Sequence, residues 1–314
     1  MPVAAHEVEV FERARARLEA IAYRLLSSAS DAEDVVQDTY LRWQSADRER
    51  IETPEAWLTK VLTNLCLNRL TAARAKRETY VGQWLPEPVF AGDPMAGPSE
   101  TVEQRESVSI AMLTLMERLS GKERVVYVLR EAFGYSHGEI AEVLDLTESN
   151  CQQIYRRAKQ HLAADRRRVA VDAAAARKIV EEFLAAALSG RTDSLVRMLT
   201  DDVISVGDGG GVVFSLPWPV TGVVRVARFL RGLVEPSEAK WKMIGGRPTQ
   251  FAAVANGLPA LVLIVGDRVA AVASLDVTTD GIAAVHIQAN PAKLERATRQ
   301  WATFDHGEPL ADRQ

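Results

Sequence analysis

Apolar residues return at helical spacing through residues 7–77 and again through about 106–188. Beyond about residue 200 the pattern switches to strand-like runs. Asp31 opens a helix that continues to about Trp43. Thr53-Pro54 opens another, with Thr at the N-cap and Pro at the first helical position. Residues 78–105, with Pro86, Pro88, Pro94, Pro98 and several glycines, break every period and predict a flexible linker. Helices resume over 106–168, where Ser120 with Glu123 and Ser136 with Glu139 have capping-box spacing and Thr147 is a good N-cap. A bridging helix follows over 173–188. Runs at 250–255, 260–265, 268–277 and 282–289 are separated by Asn256-Gly257, Gly266-Asp267 and Asp280-Gly281, which are hairpin signals, so these runs predict an antiparallel meander. Helices at about 222–234 and from Asn290-Pro291 complete an α+β domain. The expected organisation is an all-α unit over 1–77, the linker 78–105, an all-α helix-turn-helix over 106–168, the α+β domain over 169–304, and a disordered tail over 305–314.

A chain of 314 residues has room for two or three small domains. Its composition, 47% hydrophobic and 25% charged with a formal net charge of −4, is that of an ordinary soluble protein, and any basic surface must be local. Cys66 and Cys151 sit on apolar-leaning helical positions. Buried, reduced thiols in a cytoplasmic protein account for them better than a disulfide. The start lacks a signal-peptide pattern, and the longest apolar run, 258–265, is too short to cross a bilayer, so no membrane is expected. The histidines form no metal-ligand cluster and no glycine-rich phosphate loop precedes a helix. Neither metal nor cofactor is expected.

The chemistry concentrates on three helical faces. In the helix after Thr147, Cys151, Ile154, Tyr155, Ala158 and Leu162 share an arc of about 100°, while Ser149, Asn150, Gln152, Gln153, Arg156, Arg157, Lys159 and Gln160 lie outside it. Ile140, Leu144 and Leu146 are left to pack against Cys151 and Tyr155. Gln and Asn beside Arg are the side chains that read base edges, and the basic run Arg166, Arg167, Arg168 follows, so this helix is suited to a DNA major groove. In the helix at 31–43, Val36, Tyr40 and Trp43 share one face, and Asp34 and Asp38 share another beside Glu33 and Gln37. Dipole complementation explains the first acids but not a ridge that continues to Asp38. In the helix after Pro54, Trp57, Asn64 and Asn68 project within about 40° of one another beside the stripe Leu58, Leu62 and Leu65. An aromatic ring with two amides can stack on and hydrogen-bond unstacked bases; a core Trp57 with solvated asparagines fits the same spacing. Arg69, Arg74, Lys76 and Arg77 add phosphate-seeking charge, which also suits a helix C-terminus.

These faces occur within segments that resemble a known family. Residues 31–43 paired with 53–70 are similar to region 2 of an extracytoplasmic-function (ECF) sigma factor of bacterial RNA polymerase, and residues 119–162 resemble its region 4. Tyr80-Val-Gly-Gln-Trp-Leu-Pro-Glu-Pro88 and Asp208-Gly-Gly-Gly211 are similar to signatures of the SigJ-type subgroup, which carries a fused SnoaL-like (NTF2-like) domain. The likeness extends over about residues 7–303. One departure stands out: the subgroup's lysine after the triple glycine is Val212 here.

The resemblance implies all-α sigma regions 2 and 4 followed by an α+β cone with an antiparallel curved sheet. It implies an alternative sigma factor, cytoplasmic in a bacterium and monomeric when free, that directs initiation with core RNA polymerase and promoter DNA as partners. Asp34, Gln37, Asp38 and Leu41 would dock the clamp helices of the β′ subunit, and region 4 would meet the β flap. Trp57, Asn64, Asn68, Arg69 and Arg74 would open and read the −10 element; Ser149, Asn150, Gln152, Gln153, Arg156 and Arg157 would face the −35 duplex.

In enzymes of the SnoaL-like fold an Asp or His in the pocket moves a proton, which singles out Asp208 and His286. The spacing of 283–288 puts His286 with Ala284 and Gln288 rather than with Val285 and Ile287. No convergent acid–base pair is evident, and fold membership does not confer activity, so the domain is expected to be regulatory rather than enzymatic. The Asp208 loop, with Gly209, Gly210 and Gly211, is expected to contact Tyr80, Trp84 and Pro86 of the linker. The cone leaves room for a small ligand. Two rival readings are a one-component helix-turn-helix regulator with a ligand-sensing domain, and a SnoaL-type enzyme with an accessory DNA module. Neither explains both the Asp34–Asp38 ridge and the Trp57 face.

Overall fold

The computed structural model describes residues 5–78, 80–97, 104, 107–162 and 172–310. They form two compact units, 5–78 with 92–162 and 80–91 with 172–310. The first unit is helical: α1 (Ala5–Leu26), α2 (Ala29–Ser45), α3 (Pro54–Glu78), α4 (Ile110–Met116), α5 (Gly121–Phe133), α6 (His137–Leu144) and α7 (Glu148–Leu162). Local chemistry fixes their ends. Ser28 caps α2 by accepting from the Asp31 amide at 3.1 Å, so the helix starts ahead of Asp31. Both expected capping boxes form, and Gly134 ends α5 in the left-handed region at φ 71°. Phe11, Ile21, Val35, Leu58, Leu62 and Cys66 are buried in the unit's core.

The helices on either side of the linker are not separate bodies. Lys60 Nζ on α3 lies 2.6 Å from Asp145 Oδ1 and donates to the Glu142 carbonyl of α6 at 3.1 Å. Thr59 Oγ1 is 3.1 Å from the Tyr135 hydroxyl. The expectation of two modules joined by a loose tether is thus corrected: polar contacts between α3 and α6 bring them together.

The second unit begins with linker residues and continues through α8 (Ala173–Leu188), α9 (Thr192–Val196), β1 (Leu199–Asp208), β2 (Val220–Thr221), α10 (Val223–Val234), α11 (Glu238–Ile244), β3 (Thr249–Ala255), β4 (Leu258–Val265), β5 (Arg268–Thr278), β6 (Gly281–Gln288) and α12 (Pro291–Trp301). The six-stranded sheet has the order β2-β1-β6-β5-β4-β3. Strands β3 to β6 form the expected meander, and Asn256 and Gly257 both take positive φ, 54° and 71°, as a two-residue hairpin turn demands. The sheet is mixed rather than wholly antiparallel, because β1 runs parallel to β6. Val180, Phe183, Val226 and Leu230 from α8 and α10 cover one face, against Leu261, Leu275 and Val285. Phe90, Leu294, Ala297 and Trp301 cover the other, against Phe251, Val262 and Val272.

Phe90 belongs to the segment expected to be a flexible linker. Instead Leu85, Val89 and Phe90 are almost wholly buried. The chain bridges β3 at Phe90–Ala255, with the Ala91 amide donating to the Val254 carbonyl at 3.0 Å and the Asn256 amide to the Val89 carbonyl at 2.8 Å. Edge strands expose unpaired amides and carbonyls, and this strap satisfies part of that edge. The expected disordered tail is also corrected over 305–310: His306 stacks on Trp301 with ring centroids 4.7 Å apart, and the buried Leu310 donates its amide to the Gln250 carbonyl. Residues 311–314 lie outside the described residues. Phe90→Ala is expected to destabilise the second unit by about 3–5 kcal/mol, since a buried aromatic leaves a cavity. Urea unfolding followed by tryptophan fluorescence checks this through Trp301, 5.1 Å from the Phe90 ring.

Candidate nucleic-acid interface and linker clasp

On α2, Val35, Val36, Thr39 and Trp43 turn inward, which leaves Asp34, Gln37 and Leu41 exposed and Asp38 half-buried. Leu41 is 52% exposed, so the ridge pairs acid and amide groups with one uncovered apolar side chain. Arg69, expected to face DNA, reaches this ridge instead: it lies 3.0 Å from Asp31, 3.5 Å from Asp34 and 4.0 Å from Asp38. Half-exposed pairs of this kind contribute only about 0–1 kcal/mol each, but together they orient α3 on α2. Trp57 is partly exposed and packs its ring 5.7 Å from Trp43, while Asn64 and Asn68 are exposed. Trp57 is therefore braced by the core without being engulfed by it. The side chains of Arg74, Lys76 and Arg77 lie outside the described residues.

On α7 the stripe Cys151, Ile154, Ala158 and Leu162 is buried, and burial holds the Cys151 thiol up. Ser149, Asn150, Gln152, Gln153, Arg156 and Arg157 are all exposed. Tyr155, on the edge of the stripe, donates its hydroxyl to Glu131 of α5 and sets its ring 5.2 Å from His137. Burial, then that hydrogen bond and the Glu131 charge, push the phenol up. These contacts anchor the helix from behind and leave its outer face to a partner. The basic run Arg166, Arg167, Arg168 lies outside the described residues.

In the second unit the linker and the triple-glycine loop meet at one carboxylate. Asp208, at the end of β1, accepts from the Tyr80 hydroxyl at 2.6 Å, the Leu85 amide at 2.9 Å and Lys293 Nζ at 2.7 Å. Lys293 also donates to the Leu85 carbonyl at 2.8 Å and sits over the Tyr80 and Trp84 rings, 4.6 and 4.3 Å from their centroids. Gln288 donates to the Leu85 and Pro86 carbonyls, and Asn290 Nδ2 lies 2.8 Å from the Tyr80 oxygen. Burial, then the hydrogen bond to Asp208 and its charge, keep the Tyr80 phenol protonated well above its ordinary range. The glycines serve the turn. A Cβ on Gly209 would lie 1.8 Å from the Val213 carbonyl oxygen, and Gly210 and Gly211 take φ of 62° and 73°.

Sequence reasoning missed Gln288, Asn290 and Lys293. Asn290-Pro291 was legible only as a helix start, a role Asn290 also fills by accepting from the Ala292 amide. His286 is buried in register with Val206 and Ser274. Strand alternation places it with Gln288 and Asp208 on the linker side of the sheet, not on the side that α8 and α10 cover.

A helix that buries one stripe and presents amides and arginines outward, propped by a shorter helix, has the form of a DNA-reading helix-turn-helix. Residues 10–76 match Sigma-70 region 2 and residues 109–162 match Sigma-70, region 4. The chain is 38% identical over 230 residues, 73% of each chain, to the ECF RNA polymerase sigma factor SigJ of Mycobacterium tuberculosis. It is 29% identical to the probable ECF RNA polymerase sigma factor SigI of the same species, over 90% of this chain and 92% of that one. The crystal structure of M. tuberculosis SigJ superposes with a TM-score of 0.70 at 32% identity, covering 91% of this chain and 97% of that one. The chain belongs to the ECF RNA polymerase sigma factors.

Removing one partner of a buried ion pair leaves the other charge uncompensated. Lys293→Met is therefore expected to cost the second unit about 3–5 kcal/mol, read by urea unfolding, and to open residues 80–91 to limited proteolysis.

Proposed function

We propose that this protein is an alternative sigma factor that binds core RNA polymerase, directs initiation at specific promoters and is regulated in cis by its C-terminal domain. The observation that carries the reading is the division of labour on the first unit: Asp34, Gln37, Asp38 and Leu41 stand out on α2, and Ser149 to Arg157 on α7, each backed by a buried stripe. The α2 ridge docks the β′ clamp helices, and the region 4 helices meet the β flap. Trp57, Asn64 and Asn68 capture an unstacked −10 base; the few kcal/mol that splaying a base costs must be recovered by stacking and amide hydrogen bonds. Arg69 supports that face by holding α3 to the ridge, and Arg74 adds phosphate-seeking charge beyond it. Ser149, Asn150, Gln152, Gln153, Arg156 and Arg157 read the −35 duplex, and the protein works in the cytoplasm. No helix among the described residues is long and apolar enough to cross a membrane.

The second unit acts as a built-in regulator rather than an enzyme. Asp208, the candidate acid, is committed to Tyr80, Leu85 and Lys293, and it holds the strap that leads from region 2 to region 4. A one-component regulator would have no use for the α2 ridge.

Two measurements test the proposal. Arg156→Ala is expected to weaken −35 duplex binding by about 1–3 kcal/mol while core polymerase pull-down is retained; loss of the pull-down would refute the assignment. Trp84→Ala and Asp208→Asn are each expected to change run-off transcription from the cognate promoter, and unchanged output from both would dismiss regulation through the clasp.

A further inference from the structure

The second unit leaves a group of large apolar side chains uncovered. Phe214 and Trp218, on the loop between β1 and β2, are 74% and 65% exposed. Val212, at the head of that loop, and Val81 of the strap are 76% and 68% exposed. Two contacts bring strap and loop together. A Cβ on Gly211 would lie 3.4 Å from the Val81 side chain, and Gln83 Nε2 donates to the Pro217 carbonyl at 2.8 Å. Phe214 and Trp218 alone leave roughly 200–350 Å² in water. With the two valines, the patch reaches the size at which uncovered apolar surface marks an interaction site.

The loop is tied so that these side chains stand out. The Val212 and Val213 amides both donate to the Gly209 carbonyl at 3.0 Å, and the Gly209 amide donates to Ser215 Oγ at 3.2 Å. Pro217 and Pro219 fix φ on either side of Trp218. The exposure therefore belongs to the fold of the loop.

Charge decides what can cover the patch. From Gly209 to Val234 the sequence has three arginines and no acid, in a chain whose formal net charge is −4. Arg225 and Arg228 lie exposed in the first half of α10, soon after the loop and beside the exposed Val224. The occupant must be anionic as well as apolar. A second copy in a two-fold contact would set these arginines against their own counterparts. Duplex DNA answers the arginines but offers phosphates and sugars to the rings. A partner helix needs a groove, whereas side chains two-thirds exposed protrude. A bilayer with anionic headgroups accepts protruding apolar tips and attracts the flanking arginines.

We infer that this surface docks the protein on an anionic phospholipid bilayer. Phe214 and Trp218 enter the boundary between headgroups and acyl chains, and Arg225 and Arg228 meet the phosphates. Peripheral docking needs no spanning segment, and no helix among the described residues is long and apolar enough to form one. Val81 joins the surface because its neighbour Tyr80 is held on Asp208 at 2.6 Å, so lipid binding and strap docking stabilise each other.

The test is flotation of the full chain with vesicles of phosphatidylcholine alone, or of phosphatidylcholine and phosphatidylglycerol in about equal parts. The chain is expected to float with the mixed vesicles and to bind phosphatidylcholine alone about tenfold or more weakly, since each arginine near an anionic surface adds about fivefold in affinity. Phe214→Ser with Trp218→Ser is expected to weaken binding to the mixed vesicles by about tenfold or more, with an unchanged urea midpoint because both side chains are exposed. Arg225→Gln with Arg228→Gln is expected to abolish most of the preference for phosphatidylglycerol. No flotation of the wild-type chain overturns the inference, and so does flotation that the Phe214 and Trp218 changes leave intact. A dimer in size-exclusion chromatography that Trp218→Ser dissolves assigns the surface to a second copy and equally overturns it.

Discussion

A carboxylate with no route to water must have its charge answered inside the protein, and in this chain Asp208 has drawn three separate stretches together to do so. Its side chain is fully buried and 2.7 Å from Lys293. Gly210 N and Gln288 Nε2 also donate to it, and the Tyr80 hydroxyl and the Leu85 amide complete the set, so each oxygen gains its shortest neutral donor from the strap. The docked strap in turn brings Phe90 under Trp301 and hands two hydrogen bonds to the edge of β3. Apolar burial and charge neutralisation thus reinforce each other. Loss of either weakens the other, because a half-satisfied buried network is worse than none.

The loop beside Asp208 carries no charge of its own at Val212. Val212 is 76% exposed, and its amide closes the glycine turn by donating to the Gly209 carbonyl at 3.0 Å. The cation that answers Asp208 comes from α12, where Lys293 is also sandwiched against Tyr80 and Trp84. Desolvated cation–π contacts of this sort are worth roughly 2 kcal/mol, comparable to a good charge-assisted hydrogen bond. Lys293 of α12 thus neutralises Asp208, and the glycine loop presents Val212 to solvent.

Much of the architecture was legible because it rests on local rules. Capping boxes at Ser120 and Ser136, the Asn256-Gly257 turn and the Asn290 helix start each depend on residues within a few positions of one another. The outward face of α7 was legible for the same reason, since helical period alone separates Cys151 and Ile154 from Gln152 and Arg156. What stayed hidden depends on partners far along the chain. Prolines at 86 and 88 read as a break in period, yet they belong to a strap whose hydrogen bonds go to Gln288, Lys293 and β3. The parallel placement of β1 beside β6 is not written in either strand. Arg69 read as phosphate-seeking because its spacing to Asp31, Asp34 and Asp38 exists only after α2 and α3 have packed.

The strap is held at both of its ends by buried charged side chains. Residues Leu85 to Phe90 are buried in one unit, while Met95 and Ala96 give their carbonyls to Arg24 in the other. Only the short run from Ala91 to Pro94 connects these anchors, and extended chain gains at most about 3.3–3.6 Å per residue. A displacement of the docked strap by more than that slack must pull on the Arg24 carbonyl partners. Coupling of this kind needs no contiguous pathway through packed side chains. It follows from one stretch of backbone fixed at both ends by buried charges, each of which is stable only while its own hydrogen-bond partners stay in place.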